Sequence, residues 1–457
     1  MAGIGFELRK LLNKRSYTGL LQAYAYAGII SSGPWVLSIV GIMLIGLISV
    51  GVTVPNLQIT QFQVTVTYLF LGSLVLTGLV QLSFTRFVAD RIFAKDEEAI
   101  LPNFNGLMFV ALNVSILGAL PVVLLAFPEQ TVLYRLLFVM GFAIMSAIWV
   151  ATVFLSGMKH YEAIVLIFFI GYTATMALAL LFRRYLGMEG LLLGFVMGHF
   201  VLLAGMVWLI YKNYHSDRFI AFDIWKRGAM YRSLMVTGFF FNFGVWVDKL
   251  LFWYYPGTGQ NVIGPLNSSV IYDFPIFLSY LTVIPGMAVF LVRIETDFVE
   301  YYNKFYDAVR EGATLDYIER MRNHMVYYVQ RGLFDIAKIQ AITVLVVFIM
   351  GEALLNALGI STLYLPLLFV DVAGAGLQVV LLGVLNVLFY LDQRRAVVWL
   401  TAMLLVTNLI FSALSIQLGA AWFGYGFALS MLVTVLVGVW VLNRRLESLE
   451  FETFMLQ

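Results

Sequence analysis

The chain has 457 residues, of which 61% are hydrophobic and 12% charged, with a formal net charge of +2 and no cysteine. Soluble domains carry about 25% charged residues, so with a mean hydropathy of +0.91 a water-soluble enzyme, a disordered chain and a fibrous repeat are all excluded. The small net charge gives no reason to expect nucleic acid as a partner, and the missing cysteines remove disulfides, thiolate metal sites, Fe–S clusters and cysteine nucleophiles.

What remains is an all-α polytopic membrane protein. Its apolar residues come in runs of about 20, the length a helix needs to cross the hydrocarbon layer. They lack the period-two alternation of a membrane barrel. Residues 1–18 read as an amphipathic interfacial helix, with Ile4, Leu8, Leu11 and Leu12 on one face and Arg9, Lys10, Lys14 and Arg15 beside it. Twelve hydrophobic spans follow, at about 19–49, 62–85, 104–127, 132–156, 163–182, 191–211, 233–253, 268–292, 339–358, 364–390, 397–417 and 424–443. Lysine and arginine gather on alternate segments, with Arg135, Arg183, Arg184 and Lys249 the exceptions among 28. That bias predicts that both termini are cytoplasmic.

The polar stretch 212–232 divides the spans into an N-lobe at 19–211 and a C-lobe at 233–443, leaving a cytoplasmic tail at 444–457. A second cytoplasmic segment, 293–338, is far longer than the other connections and carries Tyr301, Tyr302, Phe305, Tyr306, Tyr317, Tyr327 and Tyr328. Two readings fit it: amphipathic helices resting on the membrane or the protein, or a docking surface for a cytosolic partner.

No P-loop, H-E-x-x-H or G-x-S-x-G motif occurs, and the four histidines are scattered. Catalytic residues, cofactors and metal sites are therefore not expected. Charges inside spans are the better signal, because each costs about 2.5–3.5 kcal/mol at a helix centre and so should face a bundle interior or a hydrated cavity. Asp371 is the deepest, with Gln378 seven residues on and along the same face. Asp248 and Lys249 lie near the outer end of the seventh span, where Lys249 shares a helical face with Asn242 and Trp246. Asp273 and Tyr280 share a face of the eighth. Tyr24, Ser31 and Ser38 recur at seven-residue spacing on the first span, which Gly33-Pro34 interrupts, and Pro285-Gly286 interrupts the eighth. Such breaks are candidate hinges.

The opening MAGIGFELRKLL, the stretch DFPIFLSYLTVIPGMAVFLVRIETDFVEYYNKFY and the twelve-span layout resemble the PelG exopolysaccharide transporters, a branch of the MOP flippase superfamily. The resemblance extends over the whole chain. It implies two six-helix lobes around a central cavity lined by spans one, two, seven and eight. It further implies an inner-membrane location and passage of the amino-sugar-rich Pel polymer to the periplasm. The partners it implies are the cytosolic glycosyltransferase PelF, the cyclic-di-GMP receptor PelD and the membrane protein PelE. Relatives that flip lipid-linked sugars need cationic cavities for a pyrophosphate. Here three carboxylates face one lysine, which suits a neutral or amino-sugar polymer better. An ion-coupled exporter of small or lipid-linked substrates, with Asp371 as its protonation switch, and a scaffold that only assembles a synthase complex are the alternatives.

Overall fold

The structure is a computed structural model that describes residues 18, 22–28, 56–156, 161–226 and 228–455. The amphipathic helix expected at 1–18 and the candidates Ser31, Ser38, Gly33 and Pro34 lie outside the described residues, apart from Thr18.

Helices dominate because an apolar medium offers no partner for a free N–H or C=O, and a helix satisfies both within itself. They are α1 (Asn56–Phe93), α2 (Ile100–Ala126), α3 (Val132–Ser156), α4 (Tyr161–Asn213), α5 (Arg232–Tyr254), α6 (Val270–Leu281), α7 (Ile284–Val292), α8 (Val299–Arg310), α9 (Leu315–Ala357), α10 (Leu365–Tyr390), α11 (Arg394–Leu418), α12 (Tyr425–Glu447) and α13 (Leu449–Met455). Among the described residues, ten helical stretches are long and apolar enough to cross a membrane. One of them, α4, holds two of the expected spans, joined at Gly187 with φ of 56°. That accounts for spans two to twelve; most of the first lies outside the described residues.

The chain divides into two compact units. The first unit holds α1 to α4, most of α5 and a small antiparallel hairpin, β1 (Gln260–Ile263) with β2 (Leu266–Ser268), in which Asn261 faces Asn267. Its core is built from α1, α3 and the two arms of α4, around Phe62, Leu69, Phe154, Phe195 and Met206. The arms of α4 meet at a row of glycines. A Cβ on Gly190, Gly194 or Gly198 would stand 2.2 Å from Phe182 O, Ala179 N or Thr175 Oγ1. Small residues at four-residue spacing let helix backbones approach this closely.

The second unit holds residues 247–251 of α5 and everything from 271 onward, with the helical residues 22–28. Here α10 packs against α9 and α12, and α12 packs against α11. The expected eighth span is broken: α6 ends at Leu281 and α7 starts at Ile284, with Pro285 in its first turn, where a missing N–H costs nothing. After α7 the chain passes through a π-helix at Arg293–Phe298 straight into α8. Turning at Gly312 (φ 67°), it enters α9, whose first half completes a helical hairpin and whose second half is the ninth span. The insertion at 293–338 is thus a continuation of the two flanking spans rather than a separate pair of surface helices.

Candidate transport site

The second unit encloses a cluster of buried polar groups. α5 brings Asp248 and Lys249, α6 brings Tyr272 and Tyr280, α10 brings Asp371, and α11 brings Asn408 and Ser412. Asp248 and Lys249 are fully buried, and Lys249 Nζ lies 3.3 Å from Asp248 Oδ2. The same carboxylate oxygen accepts from Tyr272 OH at 2.7 Å, and Oδ1 accepts from Asn408 Nδ2 at 3.2 Å. Ser412 Oγ donates to Asn408 Oδ1 at 2.8 Å and so orients the amide. Lys249 Nζ also reaches Tyr280 OH at 3.4 Å and lies 5.2 Å from the Tyr280 ring centroid and 5.4 Å from that of Phe427. An ammonium ion over two ring faces gains cation–π attraction that partly replaces lost water.

Asp371 differs from Asp248. It is fully buried, and neither carboxylate oxygen has a hydrogen-bond partner among the described residues. Gly424, at the start of α12 with φ of 82°, leaves the space beside it: a Cβ there would stand 2.8 Å from Asp371 Oδ1. Gln378 Oε1, one helical face further along α10, likewise lacks a partner. The cluster thus combines one neutralised ion pair with the two unpartnered acceptor oxygens of Asp371. Such acceptors take up an ammonium, a hydroxyl, an amide N–H or water.

Of the residues expected from sequence, the fold joins Asp248, Lys249, Tyr280 and Asp371 in one place. Asp273 is half-buried on α6, with Gln378 half-buried on α10. Asn242 and Trp246 belong to the first unit, where Asn242 Nδ2 donates to Leu74 O at 3.0 Å and the Trp246 ring lies 6.3 Å from that of Trp253. Helical periodicity put them on the face of Lys249, but α5 divides its residues between the two units. Tyr24 packs against Ala288, Leu291 and Val292 in the second unit. At the candidate hinge, a Cβ on Gly286 would come 1.9 Å from Gln340 Nε2, the amide that donates to Val283 O at 3.2 Å.

Sequence reasoning missed Tyr272, Asn408 and Ser412. It also missed Glu295, a buried carboxylate in the π-helix that accepts from Tyr390 OH at 2.8 Å and Asn386 Nδ2 at 3.1 Å. Asn408 carried the same signal as Asp371, a strongly polar group within an apolar span.

Most of the aromatic side chains in the insertion turn inward. Phe305 is fully buried, which corrects its assignment to a docking surface: it packs the hairpin. Tyr301 stacks on Tyr328 at 4.6 Å, Tyr302 lies 5.3 Å from Tyr390, and Tyr306 lies 4.6 Å from Tyr302. Tyr317 and Tyr327 are exposed, and Tyr327 lines an open cleft of about 580 Å³ with Asp316, Glu319, Arg320, Asn323 and His324. Among the described residues, no group of three or more histidine, aspartate or glutamate side chains could hold a metal ion.

The family model of PelG, exopolysaccharide exporter (EPS-E), matches residues 1–454. Among solved structures, an outward-facing MATE-family transporter of the MOP superfamily matches with a TM-score of 0.67 at 14% identity, covering 93% of this chain and 96% of that one. A MOP-superfamily transporter from Pyrococcus furiosus, described by a binding pocket of reversed polarity, matches at 0.66 and 14% over the same shares. A MATE in the bent conformation matches at 0.66 and 13% identity, over 98% of both chains. No curated protein matches the sequence. At such identities the structural likeness is one of fold, and that fold is the MOP transporter type.

Proposed function

Because this chain belongs to the PelG exopolysaccharide exporter family, we propose that it carries the amino-sugar-rich Pel polymer across the bacterial inner membrane, from a cytosolic glycosyltransferase to the periplasm, with both termini cytoplasmic. The observation that carries this reading is the family match over nearly the whole chain, set on a transporter fold. Chain elongation at the glycosyltransferase drives movement, which accords with the absence of a P-loop. PelF, PelD and PelE are the expected partners. The hairpin of α8 and the first half of α9 is the expected docking element, through Tyr317, Tyr327 and the cleft beside them. In the interior, Asp371 and Gln378 offer acceptors to amide, hydroxyl or ammonium donors of passing sugar units, with Asp248 and Lys249 holding the cluster's shape. In vesicles supplied with the partners and UDP-sugar, polymer should appear on the far side whether or not the proton gradient is collapsed. Loss of export on collapse would remove the elongation-driven account.

One observation favours a second reading. A buried carboxylate with two unpartnered oxygens could also exchange a proton, making Asp371 the switch of an ion-coupled exporter. Asp371→Asn would then abolish gradient-dependent transport in a folded protein, and unchanged transport would exclude it.

A further inference from the structure

The segment joining α4 to α5 is the polar divider of the chain, with five basic residues and two acidic ones between 212 and 232. It is firmly fixed to the first unit. Ala221 N donates to Pro102 O at 2.9 Å, and Asn105 Nδ2 donates to Phe219 O at 2.8 Å. Asn103 Oδ1 accepts from the backbone N–H of Asp223 at 2.7 Å and of Ile224 at 3.3 Å. Gly106 makes room for this course, since a Cβ there would stand 2.1 Å from Ala221 O. Further on, Tyr231 OH donates to Asp90 Oδ2 at 2.6 Å. The segment is a strap tied to the ends of α1 and α2.

Ile224 points inward and is buried, yet Phe219, Ile220, Phe222 and Trp225 are all exposed, Phe219 by 72%. Four large apolar side chains left outside within seven residues, on a backbone held this closely, need a medium other than water. Both ends of the strap continue into membrane-crossing helices, so it cannot move far from the bilayer surface. Around the apolar group stand the exposed cations Lys212, Arg218, Lys226 and Arg232. Aromatic rings set beside lysine and arginine are the composition of a surface seated at the headgroup boundary.

We propose that this strap is a lipid-binding surface: Phe219, Phe222 and Trp225 enter the boundary between headgroups and acyl chains, and the flanking cations engage the phosphates of an anionic phospholipid layer. Lipid bound there bears on the cytoplasmic-side ends of α1 and α2 through Asp90, Asn103 and Asn105. The cation contribution falls with added salt, as surface electrostatics does.

The chain has no cysteine, so a single introduced thiol reports one site. Phe222→Cys, and separately Trp225→Cys, is labelled with an environment-sensitive fluorophore in the full chain. Each is reconstituted into phosphatidylcholine vesicles and into vesicles containing phosphatidylglycerol, both with and without brominated acyl chains. Glu311→Cys, on the exposed turn between α8 and α9, is the comparison. Both strap probes are expected to show blue-shifted emission and to be quenched severalfold more than the probe at 311. Quenching should be stronger with phosphatidylglycerol, and the difference should vanish in high salt or in Arg218→Gln with Lys212→Gln, which leaves the Lys226–Asp223 pair of the strap intact. Quenching no greater than at 311 would overturn the proposal, as would shielding that appears only when a cytosolic protein is added. Equal quenching in the two vesicle types would overturn the anionic assignment.

Discussion

The Lys249–Asp248 pair allows a quantitative test of the buried cluster. Lys249→Met keeps the length of the side chain and removes the ammonium from a site where both partners are fully buried, 3.3 Å apart. Breaking a buried pair by deleting one member costs about 3–5 kcal/mol, because the remaining charge is stranded. Asp248 still holds donors from Tyr272 at 2.7 Å and Asn408 at 3.2 Å, which places the loss toward the lower end. Asp371 adds to the strain, since its two oxygens already lack partners in the same interior. Removing it should therefore help: Lys249→Met combined with Asp371→Asn is expected to be less destabilised than Lys249→Met alone, although two polar groups have then been altered. The assay is thermal unfolding in one detergent for the four members of the cycle, with a shift of roughly 3–5 °C expected for the lysine variant, from about 2.1 cal/mol/K of unfolding entropy per residue. The reasoning fails if Lys249→Met melts with the parent protein, or if the two substitutions simply add.

The hinge and the strap give two further tests. Gly286→Ala should lower stability, because its Cβ would overlap the Gln340 side chain, and Gln340→Ala in the same chain should restore much of the loss, since the obstructing atoms are Gln340 Cγ, Cδ and Nε2; an unrescued double variant would place the constraint elsewhere. At the strap, the hydrogen bond from Lys226 and then that from Asn103 hold the Asp223 carboxyl below the usual carboxylate range. Since the folded value lies below the unfolded one, this tether contributes fully above the ordinary carboxylate range and is lost as pH falls through the depressed value. Protection of the amides at 221–226, taken relative to intrinsic exchange, should accordingly fall in acid, and Asp223→Asn should flatten that step; an identical acid profile in the variant would refute the role of this carboxyl.

Part of the site was legible in the chain because burying charge in an apolar medium is expensive wherever it occurs. Asp371, Asp248 and Lys249 stood out for that reason, and the fold brings them together. Tyr272 was passed over for its neighbour Asp273. One residue along a helix turns the side chain by about 100°, and the burial of Tyr272 against the half-exposed Asp273 depends on how α6 is rotated in the bundle. Among the aromatic residues of the insertion, Tyr301 could not be told from the exposed Tyr317 and Tyr327 for a related reason, because period and composition do not distinguish a ring stacked on Tyr328 from one left in the open.

Helical class, the spans among the described residues and the transporter family could be read from residue order, since hydrocarbon thickness and backbone hydrogen bonding leave a chain of this composition few choices. Which polar groups meet could not. Asn242 and Trp246 lie on the same helix as Lys249 yet belong to the first unit, and Asn408, 160 residues from Asp248, supplies one of its donors. Packing sets those partnerships through helix rotation and close approach at glycines such as Gly424, neither of which has a local signature in the sequence.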